Sequence, residues 1–145
     1  MRTQAPCLSI GFLATTTGRL FTRLMEQKLK PAGMRAGQIP VFLALGKGEI
    51  LNQKYLAEFA GIEQPGMATL LARMERDGLI ERETDPNDKR VSQIRLTPDG
   101  LMKSQKIIPI MEEASEEAFK GFTPLERDIL ITLLERMSSS LERCL

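Results

Sequence analysis

Residues 53–100 decide the fold, and they read QKYLAEFAGIEQPGMATLLARMERDGLIERETDPNDKRVSQIRLTPDG. They begin with a short helix that Gly61 ends, and they continue with a second helix that starts near Gln64. The small Ala57 would let the two helices pack closely at a steep angle. This order predicts a helix-turn-helix, with an ordinary helical hairpin as the alternative. The residues available for the inner face of the first helix are Tyr55, Leu56 and Phe59.

A β-hairpin is predicted directly after the two helices. Residues 79–84 and 91–96 have the composition of strands, and residues 85–90, DPNDKR, are rich in turn formers. A hairpin in this place is the wing of a winged helix-turn-helix, which lies beside the helix that enters the major groove. Lys89 and Arg90 at its tip suit contacts with phosphate or with a narrow minor groove. A charged turn that only faces solvent is the alternative.

Amphipathic helices are predicted on both sides of this region. Residues 8–30 carry apolar side chains mostly at helical spacing, and a long helix with a kink at Pro109 is expected after the N-cap Thr97. A capping box at Thr123 opens the last helix. These helices hold more apolar surface than one small wing covers, so a second copy of the chain is the natural partner.

The expected fold is therefore mainly α with a small β-hairpin wing, a winged helix-turn-helix joined to a dimerisation region built from the terminal helices. We expect one domain over residues 1–145. Residues 37–97 would form the DNA-binding region, and residues 8–36 and 98–145 would supply the dimerisation helices.

The composition argues against an enzyme. The chain contains no histidine, which is the commonest general base and the commonest metal ligand. Two cysteines, Cys7 and Cys144, are too few and too far apart for a disulfide framework or a spaced metal site. We therefore expect no catalytic site, no metal and no cofactor. The one dense carboxylate cluster has the spacing of a solvated helix face and comprises Glu112, Glu113, Glu116 and Glu117.

The formal net charge of +1 does not by itself indicate a nucleic-acid binder. Residues 37–97 hold eight Lys and Arg against nine Asp and Glu, so support for DNA binding has to come from where the charges lie. No apolar run reaches the roughly 18 residues of a membrane span, and the N-terminus lacks the pattern of a secretory signal. We expect a cytoplasmic protein without membrane contact.

Residues 71–100, LARMERDGLIERETDPNDKRVSQIRLTPDG, resemble the MarR family of multiple-antibiotic-resistance regulators. The DPNDKR wing and the LTPDG entry to the next helix carry the resemblance, and it extends more loosely over the rest of the chain, including Gln38. It implies a homodimeric transcriptional regulator that binds double-stranded DNA and acts as a ligand-responsive repressor. Its operator would be an inverted repeat with half-sites about one helical turn, ~10 bp, apart.

The resemblance also assigns roles to single residues. Arg90 matches the wing arginine that enters the minor groove, and Asp88 matches a wing acid that pairs with an arginine late in the recognition helix, here Arg73. The family often has a Thr-Arg pair in the first half of that helix, where this chain has Ala68 and Thr69. No arginine is available there to contact guanine, so base reading would rest on Gln64, Thr69 and the backbone near Gly66, and specificity would depend partly on DNA shape. The predicted DNA-binding residues are Gln64, Pro65, Gly66, Thr69, Arg73, Asp88, Lys89 and Arg90.

A small effector is expected to bind between the dimerisation helices and the winged region, again by resemblance. The residues proposed for its pocket are Phe12, Phe21, Met34 and Phe42, although such side chains at helical spacing also fit an ordinary core. One alternative function is thiol-based redox sensing through Cys7 and Cys144. Another is a winged helix that binds protein only, against which the intact tip of Asp88, Lys89 and Arg90 argues.

Overall fold

The computed structural model describes residues 9–145. The chain forms two compact units, one that ends at Ala114 and one that comprises Ser115–Leu145. Its helices are α1 (Ile10–Leu29), α2 (Ile39–Leu45), α3 (Gln53–Ala60), α4 (Gln64–Arg76), α5 (Pro98–Ser104), α6 (Ile107–Ala118) and α7 (Pro124–Glu142). Its strands are β1 (Leu51–Asn52), β2 (Ile80–Thr84) and β3 (Ser92–Leu96). The predicted fold class, mainly α with a β-hairpin wing, is confirmed.

Helix starts follow the predicted caps. The Asn52 side-chain oxygen accepts a hydrogen bond from the Tyr55 amide at 2.8 Å, which satisfies an amide that has no partner within α3. At the start of α7, the Thr123 hydroxyl accepts from the Glu126 amide and the Glu126 carboxylate accepts from the Thr123 amide. This reciprocal pair is the capping box that the sequence predicts.

A short turn joins α3 to α4 and sets the angle between them. Gly61 has a φ of 65°, a left-handed conformation that side chains disfavour. The amide of Ile62 donates to the Ala57 carbonyl, and Ala57 is buried where the two helices approach each other. The predicted helix-turn-helix, with a small residue at the contact and a glycine at the turn, is therefore present.

The sheet contains one strand more than the predicted hairpin. Its order is β1-β3-β2, antiparallel throughout, with Leu51 opposite Ile94 and Arg82 opposite Ile94 on the other side. The additional strand β1 is two residues long and therefore carries no alternating pattern in the sequence. It ties the start of α3 to the base of the wing.

The core of the first unit lies between the helices and the inner face of this sheet. Tyr55 and Phe59 do not join it: they are 47% and 51% exposed, so their predicted place on the inner face of α3 is wrong. Leu56, the third residue predicted for the inner face, is buried, which confirms that part of the prediction, and Ala57 is buried beside it. The Tyr55 and Phe59 rings stack on the outer flank with centroids 6.4 Å apart. The largest fully buried side chains include Leu29, Phe42, Leu45, Leu56, Met67, Leu71, Met74, Ile80 and Ile94.

The junction after the wing is tightly packed. The Thr97 hydroxyl donates to the Gly78 carbonyl at 2.6 Å and accepts from the Gly100 amide at 3.1 Å, while the Thr97 amide donates to the Leu79 carbonyl. Gly100 is buried against the Leu79 carbonyl oxygen, and a Cβ at this position would overlap that oxygen. The last turn before β2 and the start of α5 are thus held together by one side chain and one close backbone contact.

The predicted long helix after Thr97 is two helices. The break falls at Gln105 and Lys106, not at Pro109 itself. Pro109 has no amide to donate to the carbonyl four residues earlier, and its ring crowds that carbonyl, which belongs to Gln105. The predicted kink at Pro109 is therefore a helix break one turn upstream.

The second unit holds an ion pair that joins the end of α6 to α7. The two terminal nitrogens of Arg127 donate to the two carboxylate oxygens of Glu116, at 2.6 and 2.8 Å. The guanidinium also lies over the Phe119 ring, 5.2 Å from its centroid. The hydrogen bonds from Arg127, and then its charge, hold the pKa of Glu116 below its ordinary value of 4.5.

Candidate nucleic-acid interface

The second helix of the helix-turn-helix, α4, presents one buried and one exposed face. Met67, Leu71 and Met74 point into the core and leave the opposite face of the helix in solvent. The residues predicted to read DNA are exposed on α4 and comprise Gln64, Pro65, Gly66, Thr69 and Arg73. Pro65 lies in the first turn, where its missing amide costs no helical hydrogen bond.

Thr69 has a defined hydrogen-bonding state on this face. Its hydroxyl donates to the Pro65 carbonyl one turn earlier, at 3.1 Å. The donor is thus used within the helix, and the oxygen lone pairs remain as acceptors. An acceptor in the major groove suits the amino group of adenine or cytosine.

The wing is a β2–β3 hairpin whose loop is closed by backbone and carboxylate contacts. The Asp85 amide donates to the Val91 carbonyl, and the Asp85 carboxylate accepts from the Asn87 amide at 2.8 Å and from the Gln93 side chain at 3.0 Å. The Asn87 amide, then the Gln93 amide group, hold the pKa of Asp85 below its ordinary value of 3.8. The loop keeps its shape with a charged Asp85 at neutral pH.

Asp88 does not pair with Arg73, and that prediction is corrected. Its carboxylate accepts from the Arg90 amide at 3.0 Å and from Arg90 Nε at 3.2 Å. An aspartate in a tight turn reaches the amide two residues on more readily than a side chain on another element. The Arg90 side chain is 91% exposed, and only its Nε and its backbone amide donate to Asp88.

A different ion pair connects the wing to α4. Arg82 Nε, on β2, lies 3.1 Å from Glu75 Oε2, near the end of α4, in a geometry that forms no hydrogen bond. The pair is therefore a contact of opposite charges at close range. The sequence did not indicate that Glu75 and Arg82 would pair, because their contact depends on how β2 packs against α4.

A cleft of 530 Å³ borders α4 on another side. Both of its carboxylates are engaged: Glu26 accepts from the Ala36 amide at 2.9 Å, and Asp77 lies 3.2 Å from Arg76 Nε. We refer to it as the arginine cleft. It is lined by Glu26, Arg35, Gly37, Gln38, Leu70, Arg73, Arg76 and Asp77. The sequence predicts Arg73 at the interface but holds no local pattern that connects it with Arg76 or Gln38.

The four residues predicted for an effector pocket have different surroundings. Met34 and Phe42 are buried in the core, Phe21 packs partly against it, and Phe12 is exposed. The arginine cleft contains none of them. Their role in effector binding stays a prediction.

The redox hypothesis is likewise untested. Cys7 lies outside the described residues. Cys144 is exposed, and its thiol donates to the Ser140 carbonyl at 3.3 Å. Among the described residues, no cluster of three acids or cysteines could hold a metal ion. No helix in the described part of the chain is long and apolar enough to cross a membrane.

The arrangement of α3, α4 and the β2–β3 wing defines a winged helix-turn-helix protein. The sequence profile of the MarR family matches residues 32–91. The transcriptional regulator HosA of Escherichia coli O111:H- is 32% identical over 103 residues, 71% of this chain and 76% of HosA. The chain belongs to the MarR family of transcriptional regulators.

Two further comparisons agree with this assignment. The HTH-type transcriptional repressor IacR of Pseudomonas putida is 28% identical over 131 residues, 90% of this chain and 78% of IacR. A solved structure of Bordetella bronchiseptica BpsR superposes on this chain with a TM-score of 0.81 at 25% identity. That structure addresses how 6-hydroxynicotinic acid regulates the DNA binding of BpsR. That alignment covers 89% of this chain and 98% of the BpsR chain.

Proposed function

We propose that this regulator is a homodimeric repressor that binds an inverted-repeat operator in double-stranded DNA and responds to a small organic effector. One observation carries the DNA-binding part. The exposed face of α4 and the exposed Arg90 at the wing tip belong to one compact unit, so a groove-reading helix and a charged wing are available together.

The chemistry of the two elements suits different parts of the duplex. Gln64 and Thr69 offer amide and hydroxyl groups for base edges in the major groove, and Pro65 and Gly66 allow the backbone to approach closely. Arg90 keeps two terminal nitrogens for a phosphate or a narrow minor groove, because only its Nε and its backbone amide contact Asp88. Lys89 adds a second exposed cation at the tip.

Uncovered apolar side chains support a dimer. No residue of α7 is buried, although the helix carries several large apolar side chains. Helices with such faces need a partner, and an isologous pair would also set the distance between two copies of α4. The exposed apolar residues of α7 are Leu125, Ile129, Leu130, Ile131, Leu133, Leu134 and Leu141.

The relatives support the regulatory part. IacR is named a repressor, and the DNA binding of BpsR is regulated by 6-hydroxynicotinic acid. An effector of this kind acts only through a difference in its affinity for the DNA-binding and the non-binding arrangement. For this chain the effector is proposed as a small organic molecule.

The test begins with selection of bound duplexes from random DNA by the full chain. Gel shifts across a range of salt concentrations then compare the wild type, Arg90→Ala and the control Lys47→Ala, an exposed cation of the same unit outside α4 and the wing. We expect Arg90→Ala to weaken binding to every duplex and Lys47→Ala to leave it unchanged. Failure of the wild type to enrich any duplex would favour a winged helix that binds protein only.

A further inference from the structure

The helix α4 has different neighbours on its two flanks. Glu75 and Arg73 are two residues apart, which places them about 200° apart around the helix axis. Glu75 faces the wing through Arg82, whereas Arg73 borders the arginine cleft beside Arg35 and Gln38. The exposed face of α4 therefore lies between the wing and this cleft.

The two carboxylates of the cleft have partners within the chain, whereas two of its three arginines form no ion pair among the described residues. Glu26 and Asp77 already have partners, as described above. In residues 9–145 neither Arg35 nor Arg73 has a carboxylate oxygen within ion-pair distance, and the Arg76 side chain is 72% exposed. Arg35 and Arg73 thus offer guanidinium groups to an anion from outside the chain, and the lining as a whole, with three arginines and two carboxylates, keeps an excess of positive charge.

The backbone that carries Arg35 is held in place. The side-chain oxygen of Gln38, which is only 6% exposed, accepts from the Arg35 amide at 2.9 Å. Glu26, on α1, fixes the next amide, that of Ala36. The base of the Arg35 side chain is therefore positioned before any ligand binds, which lowers the entropy lost on binding.

We propose that the arginine cleft, through Arg35, Arg73 and Arg76, binds backbone phosphates of the operator on the side of α4 away from the wing. The inference rests on the proposed function and extends its contact surface to Arg76, at the end of α4, and to Arg35, which lies outside the helix-turn-helix and the wing. Pro65, Thr69 and Arg73 are spaced by four residues and so lie in one row along α4. The row runs from the groove-reading positions to the cleft, which makes a continuous surface for one duplex.

The lining favours a polyanion over a small organic acid. Leu70 is the one large apolar side chain among the lining residues, whereas pockets for small ligands are lined predominantly by apolar and aromatic groups. Phosphates need guanidinium groups and an open approach, both of which the cleft supplies.

The salt dependence of operator binding tests the proposal. Each phosphate contact contributes about 0.9 to the slope of log affinity against log salt, so a dimer altered in both protomers would lose about 1.8. We expect Arg35→Ala to lower the slope by this amount and to weaken binding equally on operator and unrelated duplexes. Arg35→Lys should restore most of the slope, since it keeps the charge, and Lys47→Ala should match the wild type.

The possible outcomes separate the two proposals. If the wild type binds a selected duplex but Arg35→Ala keeps its affinity and slope, the cleft does not bind phosphate while the proposed function stands. If benzoate raises the melting temperature of the wild type but not of Arg35→Ala, and the slope is unchanged, the cleft binds small anions and the inference is overturned. Circular dichroism and thermal unfolding verify that Arg35→Ala is folded; the Gln38 bond to its backbone amide is independent of the side chain.

Discussion

Arg82 Nε lies 3.1 Å from Glu75 Oε2, and this pair joins the first strand of the wing to the end of α4. The Arg82 side chain is mostly buried, and its Nε has no hydrogen bond among the described residues, whereas Glu75 is about half exposed. The contact therefore orients the two elements more than it stabilises them, because partly exposed pairs without hydrogen bonds contribute little to the free energy of unfolding.

A double-mutant cycle measures this coupling. Glu75→Gln and Arg82→Gln, singly and together, should give an interaction free energy of about 0.2–1 kcal/mol in urea unfolding. Operator affinity should fall in each variant, while the slope of affinity against salt stays that of the wild type, because neither residue is placed at the phosphates. A slope lowered by a full contact would show instead that Arg82 touches the DNA.

The close approach at Gly100 predicts a large effect of one methyl group. Gly100→Ala forces a Cβ against the Leu79 carbonyl oxygen, and overpacking of this kind costs about 1–3 kcal/mol. The matched control is Gly18→Ala in α1, where a Cβ meets nothing within 4 Å, and there we expect a gain of up to about 1 kcal/mol. Equal stabilities of the two variants in urea unfolding would contradict the packing described.

The order of the wing loop should depend on pH in a defined acidic range. The pKa of Asp85 is depressed in the folded state, so its contribution to loop order is complete above about 3.8, the value in an unfolded chain, and is lost as the pH falls through the lower folded value. Gln93→Ala should raise the pKa of Asp85, but not fully, because the larger effect of the Asn87 amide remains. Carboxyl shifts in an NMR titration give both pKa values, and identical curves would argue against the Gln93 contact.

The exposed apolar side chains of α7 predict that a charge introduced among them disfavours dimerisation. Leu133→Glu would place a carboxylate in an apolar interface and should weaken the dimer about 100-fold or more, ~2.8 kcal/mol. Ser139→Glu, about 120° around the same helix from Leu133, should leave the proposed dimer intact. Sedimentation equilibrium compares the two, and a Leu133→Glu chain that dimerises like the wild type would place the interface elsewhere.

Local signals in the sequence were sufficient for most of the fold. The caps at Asn52 and Thr123 were predictable because each depends on backbone atoms within three residues. The turn at Gly61 and the loop residues of the wing were predictable for the same reason. The sequence predicted an interruption of this helix but placed it at Pro109, whereas the break lies one turn earlier. The reason is that the proline ring crowds the carbonyl four residues before it.

Contacts between distant segments were not predictable in the same way. The two-residue strand β1 is defined only by its pairing with Ile94 and Gln93, more than forty residues away. The exposure of Tyr55 and Phe59 follows from which flank of α3 meets the core, and a period of 3.6 over two turns does not fix that choice. Asp88 had two arginines within plausible reach, and the tight turn selected the nearer one, Arg90.

The Thr97 hydroxyl donates to the Gly78 carbonyl and accepts from the Gly100 amide, so it couples the position of α5 to the turn that follows α4. Any rotation of α5 carries with it the residues that follow α4 and begin the wing, because the same side chain holds both. The nearest pivot is then the helix break at Gln105 and Lys106. In the proposed dimer, an effector that bends the chain at this break would tilt α4 and the wing together, and would change the distance between the two copies of α4 without altering the shape of either DNA-contacting surface.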